Sequence, residues 1–143
     1  RLNASSDGEK ASDLRAELQT IMQNYFGVFR SGEFMKEGIK KLEALRPRIE
    51  NVALDDKSNA FNTSRIEALE LQNLLEVAEA TAITAEARTE SRGAHARDDF
   101  KERDDENWLC HSVFFPAEKE VGKRGVNFTP KTREAFEPKI RTY

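Results

Sequence analysis

Residues 64–88 read SRIEALELQNLLEVAEATAITAEAR, and this run decides the fold. Ser64 and Glu67 have the spacing of a capping box, in which each side chain satisfies a backbone N–H of the first turn. From Ile66 onward Leu69, Leu71, Leu74, Leu75, Val77 and Ile83 recur at helical spacing, which predicts a long helix over 66–88 with Leu74 in its core. These positions do not fall on one narrow stripe, so the helix is expected to be covered on more than one side. Alanines at 78, 80, 82, 85 and 87 would let a neighbouring backbone approach closely.

Two more helices precede it. From Ser12, a candidate N-cap with Asp13 in the first turn, Leu14, Leu18, Ile21, Met22, Tyr25, Phe26 and Phe29 form one apolar face, with Arg15, Glu17, Gln19 and Gln23 opposite. Gly32 is expected to end that helix. A second starts near Glu33 and carries Phe34, Met35, Ile39, Leu42, Leu45, Ile49 and Val52, with a kink expected at Pro47, which lacks a backbone donor. Residues 53–63 form a loop. The expected fold is mainly α: an antiparallel three-helix bundle over 12–92, preceded by a linker remnant at 1–11.

Beyond the bundle the pattern changes. Gly93 is expected to stop the third helix through positive φ. Leu109, His111, Val113 and Phe115 alternate with Cys110, Ser112 and Phe114, and Val126 with Phe128 supplies a partner strand across a loop at 116–125. So residues 93–143 read as a charged loop, a short β-hairpin and an extended basic tail packed on the bundle, one domain overall. The tail from 123 holds six basic against two acidic residues, a net +4, while 97–106 holds three against six, a net −3. A tail lying over an acidic loop and a freely solvated tail both fit, because exposed ion pairs contribute little.

Composition narrows the function. A net charge of −3 argues against nucleic acid, which needs a concentrated basic surface. No run of about 18 apolar residues is present to span a bilayer. The single cysteine, Cys110, excludes an internal disulfide. His95 and His111 lack the spacing that puts two imidazoles on one helix face, so a metal site built from them and the nearby aspartates is the weaker reading. Cys110, His111 and Ser112 are neighbours on a strand, where adjacent side chains point to opposite faces, and a buried inert thiol is expected instead of a nucleophile. Trp108 reads as a packing anchor between bundle and hairpin. Arg92, Arg97 and Arg103, interleaved with Asp98, Asp99, Asp104 and Asp105, read as an ion-pair network bracing a loop, with a docking surface as the alternative. The glycines at 8, 27, 32, 38, 93, 122 and 125 form no G-x-G-x-x-G element for a flavin pyrophosphate.

Ser91-Arg92-Gly93-Ala94-His95, then Arg97-Asp98-Asp99-Phe100, then Arg103-Asp104-Asp105-Glu106-Asn107-Trp108, and the closing Pro138-Lys139-Ile140-Arg141-Thr142-Tyr143, resemble the C-terminal region of the flavoprotein subunits of succinate dehydrogenase and fumarate reductase. The run Asp-Asp-Glu-Asn-Trp-Leu-Cys-His favours the succinate dehydrogenase branch.

The resemblance implies a parent subunit that oxidises succinate to fumarate and passes electrons through covalently bound FAD to an iron-sulfur subunit and quinone, at the cytoplasmic face of a bacterial inner membrane or its mitochondrial equivalent. In that family FAD and the dicarboxylate are held by other domains, so no catalytic, cofactor-binding or metal residue carries over to this sequence, and no cofactor is expected in it. Arg92, Gly93, His95, Arg97 and Trp108 are implied as structural and interdomain docking residues toward the flavin domain. An exposed interdomain face also implies self-association of the isolated chain. A free-standing helical interaction module is the rival from another class.

Overall fold

The computed structural model describes residues 7–136 and 139. Three helices dominate: α1 (Ala11–Phe26), α2 (Gly32–Glu50) and α3 (Thr63–Ala87). Each packs on the other two, and Leu14, Leu18, Ile21, Met35, Leu42, Leu45, Ile49, Leu71 and Leu75 meet in one core. Arg46 of α2 grips the buried carboxylate of Glu79 on α3 with both arms of its guanidinium. Gly38 sits where α2 crosses the end of α1; a Cβ there would lie 2.5 Å from the side chains of Tyr25 and Phe26.

The helix ends differ from those expected. α1 begins at Ala11 with no side-chain cap, and the Ser12 hydroxyl turns to Asp13 instead. It stops at Phe26, well before Gly32, because residues 29–30 are pulled into a strand, β1 (Phe29–Arg30), that pairs in parallel with β2 (Ala96–Arg97). Phe29 is therefore 78% exposed instead of lying in the core, and Phe34 is exposed too. Gly32 opens α2, with Ser31 Oγ accepting from Phe34 N–H. Pro47 falls near the end of α2, which runs on to Glu50. Of the expected linker, Glu9 is fastened to Arg48 by a bidentate ion pair.

The cap of α3 is Asn62, not Ser64. Its Oδ1 accepts from Arg65 N–H at 2.8 Å while its Nδ2 donates to the carbonyls of Asp56 and Ser58, so one buried amide satisfies both helix and loop. At the other end α3 stops at Ala87, before Gly93. Ala68, Ala78, Ala82 and Ala85 are buried against α1 and α2, whereas Leu74 is exposed along with Ile66, Leu69 and Val77. The bundle takes the face of α3 on which Leu71 and Leu75 fill the core and the alanines around them allow close approach of α1 and α2.

After α3 come a short turn of helix, α4 (Asp105–Trp108), and a hairpin of β3 (Cys110–Phe115) and β4 (Glu120–Gly125). The expected partner strand at 126–128 is replaced by β4, in a register running from Phe115 opposite Glu120 to Cys110 opposite Gly125. A four-residue turn closes a smaller loop, and Gly122 leaves room for the Phe115 ring, which a Cβ would approach to 2.8 Å. Lys119 in that turn reaches Glu43 and Glu79, tying the hairpin to the bundle. The tail's Glu137, Pro138 and residues 140–143 lie outside the described residues.

Candidate functional site

Two helices end at the same place, and each end is closed by an arginine. The last carbonyls of an α-helix have no partner within it and carry partial negative charge. Arg30 donates to the carbonyls of Phe26 and Gly27 at the end of α1. Arg97, only 3% exposed, donates to those of Ala85, Glu86 and Arg88 at 3.3, 2.9 and 3.0 Å, closing α3. The remaining guanidinium nitrogens of Arg97 hold Asp99 at 2.7 and 2.8 Å. Asp99 also accepts from Gly32 N–H at the start of α2. Arg97, seconded by that N–H, keeps the Asp99 carboxyl well below the usual carboxylate range.

His95 joins the two capped ends. Its Nδ1 lies 2.9 Å from Arg30 Nη1 and its Nε2 lies 3.2 Å from the Arg88 carbonyl. A guanidinium only donates and a carbonyl only accepts, so the ring is neutral with its proton on Nε2. Burial pushes the His95 pKa down, and the positive charges of Arg30, Arg97 and Arg88 add to it against the pull of the Arg88 carbonyl. The turn is shaped by reciprocal backbone bonds between Arg92 and His95, with Gly93 at φ +57 where a side chain would be strained.

A second knot surrounds Glu90, which is fully buried. It accepts from Arg88, from Arg92 at 2.8 and 3.1 Å, and from Asp104 N–H at 2.9 Å. Burial by itself would raise the Glu90 pKa, but the bonds from Arg92, Asp104 N–H and Arg88 outweigh it and the carboxyl titrates below its ordinary range. Arg92 continues to Asp105 at 2.6 Å, which also holds Arg103. Arg88 donates on to the carbonyls of Trp108 and Cys110 and lies over the Trp108 ring, whose other cationic neighbour is Lys123, 3.6 Å from its centroid. Trp108 Nε1–H donates to Thr89.

Arg92, Gly93, His95 and Arg97 thus come together in one turn, beside an open cleft of about 890 Å³ lined also by Phe29, Arg103 and Lys139. Trp108 does not line it; that ring sits behind Arg88 under the hairpin. Cys110 is half-buried instead of buried, and His111 is exposed. Among the described residues no cluster of three or more His, Cys, Asp or Glu is placed to hold a metal, and no helix is long and apolar enough to cross a membrane. Sequence reasoning missed Arg30, Arg88 and Glu90. Arg30 acts on a histidine 65 residues away, and Glu90 lies between two arginines with no periodic signal to mark its burial. With its guanidiniums already matched to carboxylates and carbonyls, the cluster is built to hold chain segments in place.

The family described as fumarate reductase flavoprotein C-term matches residues 15–143. The succinate dehydrogenase flavoprotein subunit of Coxiella burnetii is 50% identical over 133 residues, 93% of this chain and 22% of that protein. The mitochondrial succinate dehydrogenase [ubiquinone] flavoprotein subunit of Oryza sativa subsp. japonica is 40% identical over 147 residues, 100% of this chain and 23% of that protein. Among solved structures, FrdA of E. coli quinol fumarate reductase matches with a TM-score of 0.78 at 34% identity, over 92% of this chain and 24% of that one. This chain spans under a quarter of the length of these relatives. It belongs to the fumarate reductase flavoprotein C-terminal family.

Proposed function

We propose that this chain is the C-terminal domain of a succinate dehydrogenase flavoprotein subunit and that its work there is docking. The parent oxidises succinate to fumarate and delivers the electrons through FAD to an iron-sulfur subunit and quinone, as a peripheral part of a membrane complex on the cytoplasmic side or its mitochondrial equivalent. The 50% identity to a relative of that name supports the assignment. FAD does not fit the residues described here. The arginines of the charged turn are matched internally, the N-termini of α2 and α3 are capped by Ser31 and Asn62, and the one helix that starts without a side-chain cap, α1, is not preceded by a G-x-G-x-x-G loop that could cradle a pyrophosphate. The flavin belongs to the preceding part of the parent.

One observation carries the docking role. Val28 and Phe29 stand exposed beside a turn that is rigidly cross-braced by Arg30, His95, Arg97 and Glu90. Apolar side chains offered from a rigid, charge-rimmed platform are the makings of an interface core with a polar rim. Bundle (12–92) and charged segment (93–143) act as one unit, with Arg92, Gly93, His95 and Arg97 holding the platform and Trp108 anchoring the hairpin behind it.

The test separates docking from folding. In the full-length subunit Phe29→Ser and Arg92→Ala are expected to lower covalent flavin content. In the isolated chain Phe29→Ser should leave the urea melt unchanged, because that ring is already in water. Wild-type flavin content in both full-length variants would refute the docking role, and wild-type stability of Arg92→Ala besides would deny the turn even a bracing role.

A further inference from the structure

His95 is a half-buried titratable ring with a cation directly against it. Arg88, Arg92, Arg97 and Arg103 each hold a carboxylate, on Glu90, Asp99 or Asp105. Arg30 holds none among the described residues: its nitrogens go to the carbonyls of Phe26 and Gly27 and to His95 Nδ1 at 2.9 Å. That last contact exists only while Nδ1 keeps its lone pair. A proton there sets N–H against N–H and imidazolium against guanidinium. Arg88 at the end of α3 and Arg97 on β2 are further cations acting on the ring. The carboxylates of the same region are engaged elsewhere, Asp99 by Arg97 and Gly32 N–H, Glu90 by Arg88 and Arg92, and Glu86 of α3 by Lys36 of α2. Asp98 and Glu102 line the open cleft and are exposed, where solvent screens their pull.

We propose that the Arg30–His95 contact is an acid-released latch: a proton on His95 Nδ1 expels Arg30, parts β1 from β2 and frees the Val28–Phe29 corner while the three-helix core stays folded. The segment is built to move. β1 is two residues long, and beyond the latch it is joined to the charged segment by its pairing with β2 and by Asp98 N–H, which donates to the Arg30 carbonyl at 2.8 Å. So short a ladder is marginal by itself. The helices on either side are held by other groups. Arg97 and Asp99, whose charges do not change in this range, continue to close α3 and to hold Gly32 N–H at the start of α2. The direction follows from the ring's surroundings. Burial first, then the neighbouring cations, lower the folded His95 pKa from its ordinary 6.5, so the opened segment binds its proton first. Opening gains by up to about tenfold per pH unit as pH falls from about 6.5 to the folded value. The bearing of the freed corner on docking rests on the function proposed above; the latch itself does not.

Amide exchange and ring titration by NMR read the latch in the 143-residue chain, with His111→Gln leaving His95 as its single histidine. At pH 7.5 the ring is expected in its Nε2–H form. Between pH 7 and 5 the protection of the Asp98 amide, corrected for intrinsic exchange, should fall at least about tenfold in step with protonation, while the Leu42 and Leu71 amides of α2 and α3 keep theirs. His95→Asn, which offers Arg30 an acceptor and does not titrate, should hold Asp98 protection level over the same range. Asp98 protection indifferent to pH while His95 gains its proton overturns the latch. So does a loss shared equally by Leu42 and Leu71, which is general acid unfolding, and so does a ring with its proton on Nδ1 at pH 7.5. Should His95→Asn fail to fold, the titration with His95 intact decides alone. None of these outcomes touches the docking role, which is read from flavin content in the full-length subunit.

Discussion

Replacing Glu90 by glutamine changes one heavy atom in a fully buried side chain and should markedly destabilise the charged segment. The carboxylate accepts four hydrogen bonds: Arg88 and Arg92 Nε on one oxygen, Arg92 Nη2 and Asp104 N–H on the other. An amide keeps one of those oxygens and turns the other into an NH₂ group. Whichever way it is flipped, two donors then face a donor. Bonds to charged groups contribute about 1.5–3 kcal/mol each, and removing one partner of a buried charge pair costs about 3–5 kcal/mol. Arg92 retains Asp105, and Arg88 retains two carbonyls, so the lower end of that range applies. Against a total stability of about 5–15 kcal/mol, a loss of about 3 kcal/mol is large. Urea unfolding of Glu90→Gln beside Glu106→Gln, an exposed control, measures it. A difference under about 1 kcal/mol between the two would refute the assignment of Glu90 as the centre of the knot.

Leu71→Ala and Leu75→Ala should each destabilise the chain by about 2–5 kcal/mol, while Leu74→Ala should stay within about 1 kcal/mol of wild type, since Leu74 is 40% exposed and lies outside the core; urea melts decide. Gly38→Ala should cost about 1–3 kcal/mol by driving a methyl group into Tyr25 and Phe26, read the same way. The depressed His95 pKa means the unfolded chain takes up its proton first. Stability from that histidine is full above about 6.5 and is lost as pH falls from there through the folded pKa, and His95→Gln should flatten that slope in melts across pH 7 to 5. The purified 143-residue chain should be colourless, with no flavin band in its visible spectrum.

The core positions were legible because long periodic helices repeat one message. Leu14, Leu18, Leu42, Leu45 and Leu71 each fall where a 3.6-residue period puts them, and all are buried. Leu74 failed for a reason internal to that logic. α3 has two apolar faces, and periodicity alone cannot say which one its own bundle takes and which is left over. The hairpin register was misread because β4, with its lysine, arginine and two glycines, has little apolar alternation to declare it a strand. In the candidate site the turn residues were legible through their unusual order, but their bracing was not. The Arg30–His95 contact spans 65 residues, and it exists only because two helix ends meet in the folded chain. Asn62 displaced Ser64 as a cap by satisfying loop carbonyls that lie six and four residues upstream.

The proposed function is that this chain completes a flavin-bearing succinate oxidoreductase without carrying any of its chemistry. Its most direct test is succinate-dependent dye reduction, with flavin content, by the full-length gene product and by the 143-residue chain side by side. Bound flavin and turnover are expected in the full-length protein and neither in the short chain. Flavin or turnover in the short chain, or a full-length product with no flavin and no succinate oxidation, would contradict it.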